Sequence, residues 1–262
     1  MSLYSRAAHK LKSIQWDVKN RVYESVLRKL DLEALLESGV RVKVANYADW
    51  SIYTSIFADG EYDPPIQAAL AQTPQDSRLN VLDLGANVGF FALRVAHLLT
   101  QRGHREFCVV CVEASPATYV ELEQRLLASP ALDGRYQAVH GLVGQREGMG
   151  RIYPASFHAM TSSVQKGRIE GVEVPFVDLE TLLASGDSIA LLKCDIEGSE
   201  GEFLQHYHEL LRRTQVAVFE IHHDKCDAAS FRDQLATLGF APPRMLRKDA
   251  FNTLEFFQRS RT

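Results

Sequence analysis

Two clusters of polar residues break into the apolar runs of this chain, and each has a composition suited to holding or activating a ligand. The first is Asp83-Leu84-Gly85-Ala86-Asn87-Val88-Gly89, entered from Val81-Leu82 and left through Phe90-Phe91. Such a run reads as strand, tight loop and helix start, the arrangement that sets a nucleotide-like ligand at the edge of a parallel sheet. Gly85 and Gly89 admit a close backbone approach, and a helix opening near Gly89 aims amide N–H groups at an anion. The loop has one glycine fewer than the dinucleotide fingerprint and carries Asp83 at the strand end. That carboxylate repels a pyrophosphate. It suits S-adenosylmethionine, which carries an ammonium and a sulfonium.

The second cluster is Lys193-Cys194-Asp195-Ile196-Glu197-Gly198-Ser199-Glu200, fed directly by Ile189-Ala190-Leu191-Leu192. A buried strand that ends in Lys, Asp and two Glu is costly unless those groups are paired or used. Ser199 with Glu202 resembles a helix cap, and Glu200 and Glu202 favour a helix N-terminus. Asp195 and Glu197 are therefore the functional candidates, with Lys193 as an orienting charge. Glu220, His222 and His223 end the next apolar run. A histidine alone at such a place reads as a satisfied surface residue, but here the strand neighbours the one that carries Asp195. Two roles stay open. His222 can act as general base for a hydroxyl, or Asp195, Glu220 and His222 can hold a divalent cation that acidifies that hydroxyl.

Two smaller signals belong with the first cluster. Glu113 ends an apolar strand thirty residues after Asp83, where a fixed carboxylate accepts hydrogen bonds from both ribose hydroxyls. Its plain alternative is a capping carboxylate before Ser115-Pro116. His140-Gly141-Leu142 follows the next strand, where an adenine ring lies and Leu142 or Val143 packs on its face.

The elements that must position these residues alternate. From Asn80 the rhythm is strand, helix, strand, helix through VLDLGA, FFALRVAHLLTQ, FCVVCVE and TYVELEQRLLAS, then YQAVHGLVG. The strand VEVPFVDL, the pair IALLKCDIEG and EFLQHYHELLRRT, and VAVFEIHH with FRDQLATLGF continue it. RMLRKDAFNTLEFFQR reads as an antiparallel hairpin around Asp249 to Asn252. This predicts an α/β fold: a Rossmann-like, seven-stranded, mostly parallel sheet with an antiparallel last strand. Residues 76–262 form that domain, and residues 1–75 an N-terminal helical and short-strand extension. Within the extension, Leu27, Leu30, Leu32, Leu35 and Leu36 have helical spacing that Gly39 stops, residues 40–57 alternate as a hairpin or two strands, and Ile66 to Ala71 is a short helix. The polar stretch from Tyr153 to Gly171 reads as a lid or a plain loop.

Bulk composition narrows the function further. With 262 residues, 46% of them hydrophobic, the chain buries one substantial core. A net charge of -4 argues against nucleic-acid binding by phosphate neutralisation. No run reaches transmembrane length, and the basic start MSLYSRAAHKLKS lacks a signal's apolar region and reads as a solvated helix face. Cys108, Cys111, Cys194 and Cys226 have no zinc spacing, and Cys108 and Cys111 fall on opposite faces of one strand. Free thiols of this kind point to the cytoplasm.

Several motifs together resemble the FkbM family of S-adenosylmethionine-dependent methyltransferases. They are the Asp83 to Gly89 loop, Glu113-Ala114-Ser115-Pro116, Leu142-Val143-Gly144, Lys193-x-Asp195-Ile196-Glu197-Gly198-x-Glu200, and Tyr53 to Asp63. The lysine motif is fairly specific, the glycine loop is widely shared, and the resemblance spans roughly residues 45 to 258. It implies O-methylation of a small-molecule hydroxyl, on a sugar or natural-product scaffold, with S-adenosylmethionine as cofactor. Cys194 stands where an aliphatic or small residue is usual, and His222-His223 has no counterpart to carry over. The expected cofactor residues are Asp83, Gly85, Ala86, Asn87, Gly89, Glu113, Ala114, Gly141, Leu142 and Asp195. The expected catalytic set is Asp195, His222, Glu220, Lys193 and Glu197. The N-terminal helices either cover the acceptor pocket or build a homodimer. The alternatives are an NAD(P)-dependent oxidoreductase and a catalytically inert S-adenosylmethionine-binding module.

Overall fold

The computed structural model describes residues 23, 25–27, 29–30, 32–74, 77–153, 171–184 and 186–260. The basic start and most of the Tyr153 to Gly171 stretch lie outside them. Among the described residues Leu27 and Leu30 are helical, and a hairpin of β1 (Leu32–Leu35) and β2 (Arg41–Val44) follows, closed over Gly39 at φ +81°. The helical spacing expected through Leu27 to Leu36 holds at Leu27 and Leu30, but Leu32–Leu35 is a strand, because the glycine closes a turn and Val42 and Val44 sit opposite Ala34 and Leu32.

Residues 47–58 are helical rather than extended: α1 (Tyr47–Tyr53) runs into a π-helical turn, Thr54–Ala58. Asn46 caps α1 by accepting from Asp49 N at 2.8 Å. Tyr53 and Phe57, four residues apart, stack with centroids 5.5 Å apart. That helical pairing overrides the β propensity of the aromatic residues. The short helix expected at Ile66 to Ala71 lies within α2 (Asp63–Gln72), whose first turn holds Pro64 and Pro65.

The main body alternates β3 (Leu79–Leu84), α3 (Phe90–Gln101), β4 (Phe107–Glu113), α4 (Pro116–Leu127) and β5 (Tyr136–His140). After a small hairpin of β6 (Met149–Ile152) and β7 (Val172–Pro175) come β8 (Ile189–Cys194), α5 (Glu200–His206), α6 (His208–Arg212), β9 (Thr214–His222), α7 (Ala228–Thr237), β10 (Arg244–Lys248) and β11 (Asn252–Gln258). The seven-stranded sheet runs β10-β11-β9-β8-β3-β4-β5, with β11 antiparallel to both of its neighbours. VEVPFVDL does not join it, because Val172–Pro175 pairs with β6 outside the main sheet.

Every residue of β3 and β8 is buried, as strands covered on both faces require. One face carries Val81, Phe90 and Val218 together with Val40, Val42, Ile56 and Ile66 of the N-terminal elements. The other carries Leu82, Leu192, Phe203, Phe219 and Phe231. Burying each such side chain contributes about 1.5–3 kcal/mol. Cys108 and Cys111 do fall on opposite faces, and all four cysteines are free thiols. Among the described residues no helix is long and apolar enough to cross a membrane.

Candidate active site

A cleft of about 740 Å³, its open mouth included, lies beyond the carboxyl ends of β3, β4 and β8. Gly85, Asn87, Glu113, Ala114, Gly141 and Leu142 line one side, and Asp195, Ile196, Glu197 and Ser199 the other.

The glycine loop is closed upon itself. Gly85 N and Ala86 N both donate to Val112 O at 3.0 Å, and Asn87 N donates to Glu113 Oε2 at 2.9 Å. Val88 N turns to Asn87 Oδ1 at 2.8 Å and Gly89 N to Ala86 O at 3.0 Å. All five amides are therefore bonded within the protein, and the loop offers no nest for a pyrophosphate. Gly85, at φ +73°, has to lack a Cβ, which would lie 1.8 Å from Asp195 O. Gly89 serves the interior instead. It starts α3 at φ +90°, and its Cβ would meet Leu122 of α4 at 2.8 Å. Asp83, Ala86 and Gly89 are not among the cleft-lining residues.

Glu113 accepts from Ser115 N at 2.8 Å as well as from Asn87. Burial raises its pKa, and those two amides hold it down. The capping reading is met, and since a carboxylate has about four acceptor positions, two remain on the cleft-lining Glu113. Gly141 fits where a Cβ would strike Val177 Cγ2 at 2.2 Å. His140 Nε2 lies 3.0 Å from Ala114 O and steadies that wall.

The opposite side is a network of charges. Glu197 holds a left-handed φ of +54°, a strained conformation for a residue with a side chain, and it lines the cleft. Its loop is fastened by Glu200, fully buried, whose Oε1 accepts from Gly198 N at 3.1 Å, from Ile196 N at 3.3 Å and from His222 Nδ1 at 3.0 Å. Ser199 makes no side-chain cap, so Glu200 does more than favour a helix end. His222 Nε2 then faces Glu197 Oε2 at 3.7 Å.

Burial works against charge on His222, but the hydrogen bond and charge of Glu200, with Asp195 and Glu197, push its pKa up to about 9. Glu197 is driven up to about 7 by burial and by Asp195, with His222 opposing. These neighbours favour the imidazolium form of His222, held by Glu200 and facing Glu197.

Asp195, Glu197 and His222 offer donor atoms within 4.8 Å of one another, and Glu220 stands outside that group. Binding a divalent cation there requires His222 to release the proton that Glu200 helps it hold, so cation and proton compete for the site. Glu220 turns to the β10–β11 hairpin, bonding Asn252 Nδ2 and pairing with Arg247 Nη2 at 2.9 Å. Arg247 also reaches Glu61 at 3.1 Å and so ties the N-terminal elements to the hairpin. Burial and Asp195 bring Glu220, too, up to about 7.

Lys193 points beneath the loop, donating to Gly85 O at 2.9 Å beside Asp83 at 3.2 Å. Tyr62, buried at the start of α2, has its phenol held well above the ordinary range by burial. Arg247 and Tyr62 escape a reading of the sequence alone, and Glu200 reads there only as favouring a helix end. Only the Tyr53 to Asp63 motif hints at Tyr62.

The strand order, the antiparallel β11 and the glycine loop at the cleft define a Rossmann-like class I methyltransferase fold. The family model described as Methyltransferase FkbM domain matches residues 83–247, and the chain belongs to that family. Among solved structures, the FkbM methyltransferase from Methylobacillus flagellatus KT is 14% identical with a TM-score of 0.49, over 90% of this chain and 66% of that one. The precorrin-6y C5,15-methyltransferase from Geobacter metallireducens GS-15 is 11% identical with a TM-score of 0.45, over 76% and 87%. Fibrillarin from Aeropyrum pernix, in complex with S-adenosyl-L-methionine, is 9% identical with a TM-score of 0.45, over 75% and 74%. No curated protein matches.

Proposed function

We propose that this chain transfers a methyl group from S-adenosylmethionine to a hydroxyl of a small molecule, a sugar or a natural-product scaffold. The observation that carries the cofactor is the self-satisfied loop: five bonded amides reject a pyrophosphate, while Asp195 and Glu197 across the cleft suit an ammonium and a sulfonium. Glu113 receives the ribose hydroxyls, and Ala114, Gly141 and Leu142 bound the adenine. When bound, S-adenosylmethionine supplies a methyl on an already activated leaving group, open to in-line attack by oxygen. What remains for the chain is to hold the acceptor and take its proton.

Glu197 suits the proton transfer. A carboxyl with a pKa of about 7 is ionised often enough at neutral pH to act as base and basic enough to accept a proton. The imidazolium of His222 positions it, and Glu200 positions His222. Such an arrangement favours a hydroxyl acceptor whose proton leaves during transfer.

Calorimetric titration with S-adenosylhomocysteine, with NAD as control, tests the cofactor. Micromolar binding of the first and none of the second is expected. The reverse preference revives the oxidoreductase, and substitution of Asp195, Glu220 and His222 without loss of methyl transfer favours an inert-cleft reading of those residues.

A further inference from the structure

Lys193 precedes the cleft by two residues yet turns away from it. Its Nζ donates to Gly85 O at 2.9 Å and stands 3.2 Å from Asp83 Oδ1 and 4.0 Å from Asp195 Oδ2. It also lies 5.9 Å from the centroid of the Phe91 ring. Asp83 is its register partner across the parallel pair of β3 and β8, so opposite charges meet on neighbouring strands in a dry interior. Burial alone would lower the ammonium's pKa, but Asp83 and Asp195 outweigh it and keep the group charged. Among the described residues, no side chain or amide hydrogen-bonds the Asp83 carboxylate, whose contact with Lys193 is an ion pair.

The pair acts at a seam. Gly85 presses its backbone on that of Asp195, and Asp195 N donates to Leu84 O at 3.0 Å. Gly85, Asn87 and Asp195 all face the cleft from this seam. Two carboxylates, Asp83 and Asp195, thus share the one ammonium, and of the two only Asp195 lines the cleft. The adenosine side is held differently: Glu113 by Ser115 N and Asn87 N, Gly141 by Glu113 O.

We infer that Lys193 is a positioning residue for the amino-acid end of the cofactor. By fixing the Gly85 carbonyl and balancing Asp83, it sets the seam at which Asp195 receives the ligand's α-ammonium. The inference rests on the S-adenosylmethionine reading of the cleft given above, and it moves Lys193 from the acceptor's side to the cofactor's.

The test compares two ligands. S-adenosylhomocysteine carries the amino acid, whereas 5′-deoxy-5′-methylthioadenosine keeps the adenosine and the thioether without it. Lys193→Met should weaken the first by about tenfold to a hundredfold, the loss expected for one contact to a charged group, and the second by no more than about twofold. Equal weakening of both would show a general support for the fold and overturn the inference. No weakening of either would overturn it as well.

If Lys193→Met fails to fold because Asp83 is left buried without its cation, the double variant Asp83→Asn with Lys193→Met removes both ionisable groups. The same selective loss is expected of it. A wild-type protein that binds neither ligand overturns the cofactor reading itself, a result visible before any substitution is made.

Discussion

The two sides of the cleft are built on opposite principles. On the side of β3, β4 and β5, nearly every polar group already has its partner: the loop amides are bonded within the protein, and Glu113 accepts two of the chain's own N–H groups. On the side of β8 and β9, carboxylates outnumber cations. Glu197, Glu200 and Glu220 share His222 and Arg247, Asp195 stands 4.0 Å from Lys193, and burial with Asp195 raises the pKa of Glu197 and Glu220 to about 7. The first side is a cradle that recognises by shape and a few remaining acceptor positions. The second is held under electrostatic tension that a cationic ligand, or a proton taken from the acceptor, relieves. Rigidity and reactivity are thus assigned to different strands.

The comparison breaks most sharply where the two sides touch. Gly85→Ala forces a Cβ into Asp195 O at a left-handed φ. Both sides have to move, so S-adenosylhomocysteine binding should fall more than about a hundredfold, with a stability loss near ~4 kcal/mol, the exceptional end for one substitution. Thermal unfolding and calorimetry check it together, and a folded variant that binds normally would deny the seam its importance. Glu113→Ala is the next step down. It removes the ribose acceptors and releases Asn87 N and Ser115 N, so affinity should drop about tenfold to a hundredfold for S-adenosylhomocysteine and methylthioadenosine alike. Loss confined to one of them would misplace Glu113 at the amino-acid end.

The cradle was far more legible in sequence than the reactive side, and the reason is physical. A strand, a glycine turn and a helix start are local, and so is a carboxylate at a strand end. Asp83 to Gly89 and Glu113 could therefore be placed from spacing alone, although Asp83 and Gly89 turned out to serve the interior. Glu200 could not be read correctly, because its role depends on His222, which is 22 residues away, and on a loop whose φ at Glu197 is positive. Arg247 joins Glu61 to Glu220 across most of the chain. The N-terminal errors have a different origin. Leu32 to Leu35 fits both periods, and the aromatic residues of 47–58 favour strands until Asn46 and Asp49 cap a helix.

The finest distinction between the two sides is titration. The pKa of Glu197 is raised from 4.5 to about 7, so its carboxyl is protonated and neutral below that pH and charged above it. S-adenosylmethionine and S-adenosylhomocysteine differ by the methyl and by the positive charge on sulfur. If the sulfur sits on the Asp195 and Glu197 side, the affinity ratio of sulfonium to thioether must rise with pH through about 7. The rise is about tenfold for each unit by which the sulfonium lowers the carboxyl's pKa. Glu197→Gln should flatten that dependence while leaving thioether binding nearly unchanged. Any slope that survives belongs to Glu220, which also titrates near 7 but is turned to Arg247, and its size measures how far that carboxylate stands from the sulfur. Methyl transfer should follow the same limb, lost as pH falls through about 7 because the base is then occupied, and reduced again above about 9 as His222 gives up its proton and no longer holds Glu197 in place. A flat ratio between about pH 6 and 8 in the wild-type protein would move the sulfur, and with it the methyl group, away from this wall.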